Sequence, residues 1–249
     1  MNVILLIPSY NCASLLPTLF SHLYRLDPQP ERVIFAENNS RDNTLERLTK
    51  FKRPHEIIRV WFRSRVRDYA VSPYEPIAHI RQLLLTRARH LNPNYAIFLD
   101  HDCWPNEHDI IDRLTLHGED IVGGAYLRAY PEGVFLASKW LHPQTGKVIW
   151  RKEAFRPFGE VNMTSAGCLC LSRRLIQDDR VNFYPLYDDI AAEDFGFCLS
   201  ARKHGYRIWL DATASCMHYL DLKREKSWTC ASGNPRDAHG NYQLIDFKY

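Results

Sequence analysis

The sequence lacks any apolar run approaching the ~18 residues that a membrane span needs, so no transmembrane segment is expected. The longest apolar run near its start, residues 3–7, follows no basic segment and precedes no cleavage-like site, which argues against a signal peptide. The chain also lacks a strong charge of one sign. Its 32 Lys and Arg against 29 Asp and Glu leave +3 at pH 7, too little to draw nucleic acid by charge alone. Seven cysteines are an odd count, and 249 residues bury enough core to fold without disulfides. They read as reduced, small buried residues, which fits a cytoplasmic setting. Cys168 and Cys170 form a C-x-C with no second pair, so a structural zinc site is not expected. There is no internal repeat, low-complexity tract or linker. A mean hydropathy of −0.37 with 24% charged residues belongs to a globular chain.

The first half alternates strand and helix signals. Residues 3–7, 33–36, 57–62 and 95–99 are short apolar runs of the kind that form buried strands. Residues 15–26 and 78–91 carry apolar positions at helical spacing. Buried strands alternating with helices predict a mostly parallel sheet flanked by helices. In the second half, 106–116 reads as helix, 121–127 as strand, 193–204 as a helix stopped by Gly205, and 206–210 as a last strand. Residues 1–221 are expected as one domain, with a nucleotide-binding half (about 1–105) and an acceptor half (about 106–221). Residues 222–249 form a polar tail that could fold across a site.

The chemistry-bearing residues fall at strand tips. In an open parallel sheet, ligands bind beyond the carboxyl ends of the strands. Asp100 and Asp102 follow strand 95–99 and face one side of an extended segment. Two carboxylates so placed repel unless a cation lies between them, and their oxygens suit Mn²⁺ or Mg²⁺. Glu37 stands at the tip of the second strand, where an acid can accept from a ribose hydroxyl or a base N–H. Glu193 and Asp194 open a helix, where the macrodipole favours ionised acids; an ionised carboxylate can take a proton from a hydroxyl. His218 offers an imidazole to the same cation. Lys223 begins a basic cluster suited to a departing diphosphate. Aromatic residues crowd positions 104–158, and Trp104, next to the aspartates, is the best-placed platform for a sugar face.

Together these residues resemble the GT-A glycosyltransferases, particularly the large inverting family 2 group, over roughly residues 2–220. The resemblance rests on Pro8-Ser9-Tyr10-Asn11 after strand one, the run from Glu37 to Thr44 after strand two, Asp100-His101-Asp102, the spacing from Gly167 to Arg173, Glu193-Asp194, and His218. It implies a GT-A fold: a Rossmann-like, mostly parallel sheet with a smaller mixed sheet on the acceptor side. It implies a nucleotide-sugar donor, UDP by default, held by Pro8, Ser9, Tyr10, Glu37, Asn39, Arg81, Asp100 and His101. Arg81 would approach the diphosphate. Asp100, Asp102 and His218 would hold the metal, Asp194 would be the base, and Glu193, Gly167 and Trp104 would meet the acceptor. The absence of a Q-x-x-R-W motif argues for single-sugar transfer to a glycan or other hydroxyl. The acceptor would be met in solution or through peripheral membrane contact. A sugar-phosphate nucleotidyltransferase would share the sheet, but "PSYNCAS" lacks the Gly-rich basic loop such enzymes carry. A non-catalytic carbohydrate-binding protein would need neither acid pair.

Overall fold

A computed structural model describes residues 1–60, 75–128, 134–135, 139–141, 148–150, 157–183 and 193–218. The chain runs β1 (Val3–Ser9), α1 (Leu16–Tyr24), β2 (Arg32–Glu37), α2 (Thr44–Leu48), β3 (His55–Arg59), α3 (Glu75–Leu91), β4 (Tyr95–Leu99), β5 (Cys103–Pro105), α4 (Ile110–Thr115) and β6 (Ile121–Arg128). It continues with β7 (Val134–Phe135), β8 (Lys139–Leu141), β9 (Val148–Trp150), β10 (Phe158–Val161), β11 (Cys168–Ser172), α5 (Arg173–Ile176), α6 (Glu193–Lys203) and β12 (Ile208–His218). No helix among the described residues is long and apolar enough to cross a membrane.

One twisted sheet carries most of the strands, in the order β10-β12-β6-β11-β4-β1-β2-β3, with β5 added to β12 and β7 to β6. The stretch β4-β1-β2-β3 is parallel. Beyond β4 the sheet becomes mixed: β11 lies antiparallel between β4 and β6, and β12 runs parallel to β6. The mixed part is therefore continuous with the parallel part. Among the described residues, only β8 and β9 pair separately, antiparallel to each other.

The strands bury both faces, and their alternation sorts the core into two layers. Val3, Leu5 and Ile7 join α1, α2 and α4 through Leu16, Leu19, Leu48 and Ile111. Ile4 and Leu6 join α3, α5 and α6 through Ile80, Leu84, Leu175 and Phe197. In that second layer Phe183 stacks on Phe197 at 4.5 Å and meets Phe98 edge-on at 5.4 Å. Truncating one such ring to Ala costs about 3–5 kcal/mol. This aromatic contact fixes α6, and hence the acids at its start, beneath the end of β4.

Some boundaries differ from those the sequence suggests. The helix expected over 106–116 is only Ile110–Thr115, because residues 103–105 leave the aspartate turn as a strand paired with β12. The last strand does not stop at Leu210 but runs to His218, with a register shift between Asp211 and Ser215. His218 thus ends the strand rather than following it. Residues 61–62 of the third expected strand, and the tail 222–249 with Lys223, lie outside the described residues.

Candidate active site

The loops that leave β1 and β2 are laced into one surface. Asn38 N–H donates to Ser9 O at 3.0 Å, and Arg41 N–H to Asn11 Oδ1 at 2.8 Å. In return Asn11, Cys12 and Ala13 donate their N–H groups to Ser40 Oγ, Thr44 Oγ1 and Asp42 Oδ2 at 2.8–3.1 Å. Asn11 and Asn39 sit at φ of 45° and 48°, a left-handed conformation that Asn tolerates better than most residues. Glu37 is 1% exposed. Its Oε1 accepts the Ser40 N–H, and Oε2 lies 3.8 Å from Arg59 Nε. The carboxylate expected to meet a nucleotide therefore braces its own loop. Pro8 and Ser9 are buried, whereas Tyr10 is 49% exposed at the rim.

Arg81 joins the two acid pairs. It is 4% exposed on α3. Its NH2 donates to both oxygens of Asp100 at 2.9 and 3.0 Å, Nε to Glu193 Oε1 at 2.9 Å, and NH1 to Ala166 O at 3.1 Å. Burial alone would weaken its charge, but the carboxylates of Asp100 and Glu193 more than offset this and hold the guanidinium firmly protonated. The planar fork suits such multiple recognition in a way an ammonium does not. Asp194 is fixed from the other side: Oδ2 accepts from Ser165 Oγ at 2.7 Å and from Ala166 N–H at 3.2 Å, and Oδ1 from Phe195 N–H at 2.9 Å. Burial first, and then the Asp194 charge, raise Glu193 from 4.5 to about 7 against the pull of Arg81. Asp100 N–H donates to Gly167 O at 3.0 Å, tying the aspartate turn to the strand β11 that Gly167 precedes.

The second aspartate and the histidine also meet. Asp102 Oδ2 lies 3.7 Å from His218 Nε2, although the two come from opposite ends of the second half of the chain. His101 between the aspartates points back: its Nδ1 lies 3.0 Å from Pro8 O. Since a carbonyl only accepts, Nδ1 carries the proton. Among the described residues, Asp102, Cys103 and His218 bring donor atoms within 4.8 Å of one another. A carboxylate and an imidazole this close fit a divalent cation.

Three of the expected site residues make other contacts in this structure. Arg81 does not face a diphosphate; it is spent on Asp100, Glu193 and a carbonyl, because a buried guanidinium requires partners for its donors. Asp100 is not among the converging metal donors, since Arg81 holds its carboxylate. Trp104 is 5% exposed. Its ring stacks on His22 at 6.0 Å and Nε1 donates to His101 O at 3.3 Å, so it packs the core rather than offering a sugar platform. Sequence reasoning missed Cys103 and the linking role of Arg81. The latter had a signal: Arg81 occupies the helical spacing of Ala78, Leu85 and Ala88, all buried, and a charge at a core position implies a partner.

A family profile described as Glycosyl transferase family 2 matches residues 4–180. No curated protein sequence matches. Among solved structures, A197 from STIV superposes with a TM-score of 0.54 at 18% identity, over 89% of this chain and 87% of its own. S. aureus TarS 1-349 in complex with UDP gives 0.59 at 16% identity, over 87% of this chain and 60% of its own. The mannosyltransferase PcManGT from Pyrobaculum calidifontis, in complex with GDP-Man and Mn²⁺, gives 0.53 at 15%, over 88% and 56%. At such identities the likeness concerns the fold. The chain spans little more than half of PcManGT's length and 36% of the longer TarS chain.

Proposed function

The chain belongs to glycosyl transferase family 2 and is a glycosyltransferase of GT-A fold, and from that premise we propose that it moves one sugar, with inversion, from a nucleoside-diphosphate donor to a hydroxyl of a glycan or other acceptor. UDP is the expected nucleotide. The observation that carries this reading is the meeting of Asp102 and His218 at 3.7 Å on the rim where Arg81 ties Asp100 to Glu193. The fold's occurrence with UDP in TarS and with GDP-Man and Mn²⁺ in PcManGT supports it.

In this reading Asp102 and His218 would hold a divalent cation, Mn²⁺ or Mg²⁺ by default, which would supply a Lewis acid to the leaving diphosphate. The linked loops after β1 and β2, with Pro8, Ser9, Tyr10 and Asn39, form the nucleotide's floor. Asp100, oriented by Arg81, faces the ribose, and His101 fixes the turn against Pro8. Asp194 takes the acceptor proton: its hydrogen bonds from Ser165, Ala166 and Phe195 leave one lone pair free, on Oδ1, and hold the carboxylate still. A base so placed is worth about 10²–10⁴-fold. Glu193 and the backbone at Gly167 border the acceptor. Lys223 would assist the diphosphate.

Calorimetric titration of UDP, then GDP, tests the donor site, with Mn²⁺ and again with EDTA. Binding that requires the cation and weakens in Asp102→Asn is the expected result. Cation-independent binding would remove the metal from the reading. Slow release of UDP from a nucleotide sugar would support transfer. Pyrophosphate from a nucleoside triphosphate and a sugar phosphate would mean a nucleotidyltransferase instead.

A further inference from the structure

The cation site holds a donor that the family resemblance does not assign. Cys103 follows Asp102 directly, and its donor atom lies within 4.8 Å of those of Asp102 and His218. Backbone pairing fixes the arrangement: in the antiparallel ladder between β5 and β12, Cys103 stands opposite His218, Trp104 opposite Met217 and Pro105 opposite Cys216. Cys103 N–H also donates to Asp100 O at 2.9 Å, so the aspartate turn delivers the sulfur beside the second carboxylate.

Carboxylate, thiol and imidazole make a donor set with a definite preference. Oxygen ligands suit Mg²⁺, whereas sulfur and imidazole suit Zn²⁺ and its borderline-soft neighbours. Three protein ligands with a fourth position open is the usual composition of a reactive zinc centre. Bonds of about 2.0–2.3 Å to a tetrahedral ion require donor separations of roughly 3.3–3.8 Å. Asp102 and His218 stand at 3.7 Å, and the Cys103 sulfur, buried at 0% exposure and within 4.8 Å of both donors, would have to close in by up to about 1–1.5 Å to join them.

We propose that Cys103 is a third ligand of this centre, so that the enzyme takes a thiophilic divalent ion such as Zn²⁺ or Co²⁺ in preference to Mg²⁺. On ligation the thiol gives its proton to solvent and the thiolate sulfur donates to the ion. The inference rests on the reading of Asp102 and His218 as cation holders, so its test must separate the two. Affinity order alone does not, because imidazole by itself already favours Zn²⁺.

Cobalt reports sulfur directly. Titrating the full chain with Co²⁺ should give visible ligand-field bands together with a near-ultraviolet sulfur-to-cobalt charge-transfer band. Cys103→Ser should lose the charge-transfer band, keep weaker ligand-field bands, and bind Zn²⁺ at least ~10-fold more weakly. Cys168→Ser and Cys216→Ser, which alter other buried thiols of the same core layer, should keep the band. Ligand-field bands without charge transfer in the wild type would overturn the role of Cys103 while leaving the cation site standing. Loss of the band in Cys216→Ser alone would also overturn it. A spectrum no different from aqueous Co²⁺ would remove the Asp102–His218 reading itself. If Cys103→Ser fails to fold, the wild-type spectrum read together with those of Cys168→Ser and Cys216→Ser decides the matter.

Discussion

At the scale of the residue, the two acids opening α6 have different surroundings and should fail differently. Asp194→Asn keeps the shape and most hydrogen bonds but removes the proposed base. Transfer should fall at least ~10²-fold with UDP affinity unchanged by calorimetry; near-normal turnover would assign the base elsewhere. Glu193 should show itself in stability. Its value is raised from 4.5 to about 7, chiefly by burial, so the native state binds more protons than the unfolded chain between those limits. Stability contributed by this group is therefore full below about pH 4.5, falls as pH rises towards 7, and is level above. Urea unfolding at pH 5 and pH 8 should show a decline in the wild type that Glu193→Gln reduces by about 1–3 kcal/mol. Both acids were legible in the sequence because adjacent carboxylates at a helix start are conspicuous. What was not legible was that Asp100 pairs with Arg81, since a charge pattern does not show which neighbour a carboxylate meets.

At the scale of the element, short apolar runs declared themselves and irregular strands did not. β4 matches its expected residues, 95–99, because an uninterrupted apolar run ends at an aspartate. β12 outran its expected end because residues 211–218 are mostly small or polar; they are extended by pairing with β5 and β6 rather than by their own preference. The same crowding makes a prediction. A Cβ on Gly124 would lie 2.6 Å from the Ala214 carbonyl oxygen and 2.5 Å from Cys168 Sγ, and a backbone atom cannot move aside cheaply. Gly124→Ala should lower stability by about 1–3 kcal/mol, read from the denaturant midpoint. An unchanged midpoint would mean that β6 and β12 yield more readily than their packing indicates.

At the scale of the whole molecule, the alternation of strands and helices announced the parallel half, while the mixed half was hidden because its order depends on long-range pairing. Arg81 spans both. Arg81→Met would leave the buried carboxylates of Glu193 and Asp194, and the partly exposed Asp100, without their guanidinium, and should cost about 3–5 kcal/mol in urea unfolding. Arg81→Lys should recover only part of this, because an ammonium cannot serve three partners in one plane. A last consequence follows from the strand order. β4, β11, β6 and β12 are consecutive ladders of one sheet, so Asp100 after β4, Gly167 before β11 and His218 at the end of β12 share one frame, against which the Phe183–Phe197 and Phe98–Phe183 contacts seat α6 and its two acids. On the proposed reading, the span separating nucleophile from leaving group should be set when the chain folds, not when substrate arrives. Amide exchange in β4 and β11 should be equally slow with and without UDP and Mn²⁺, and variants selected for a new acceptor should retool side chains on that frame and leave its proportions alone.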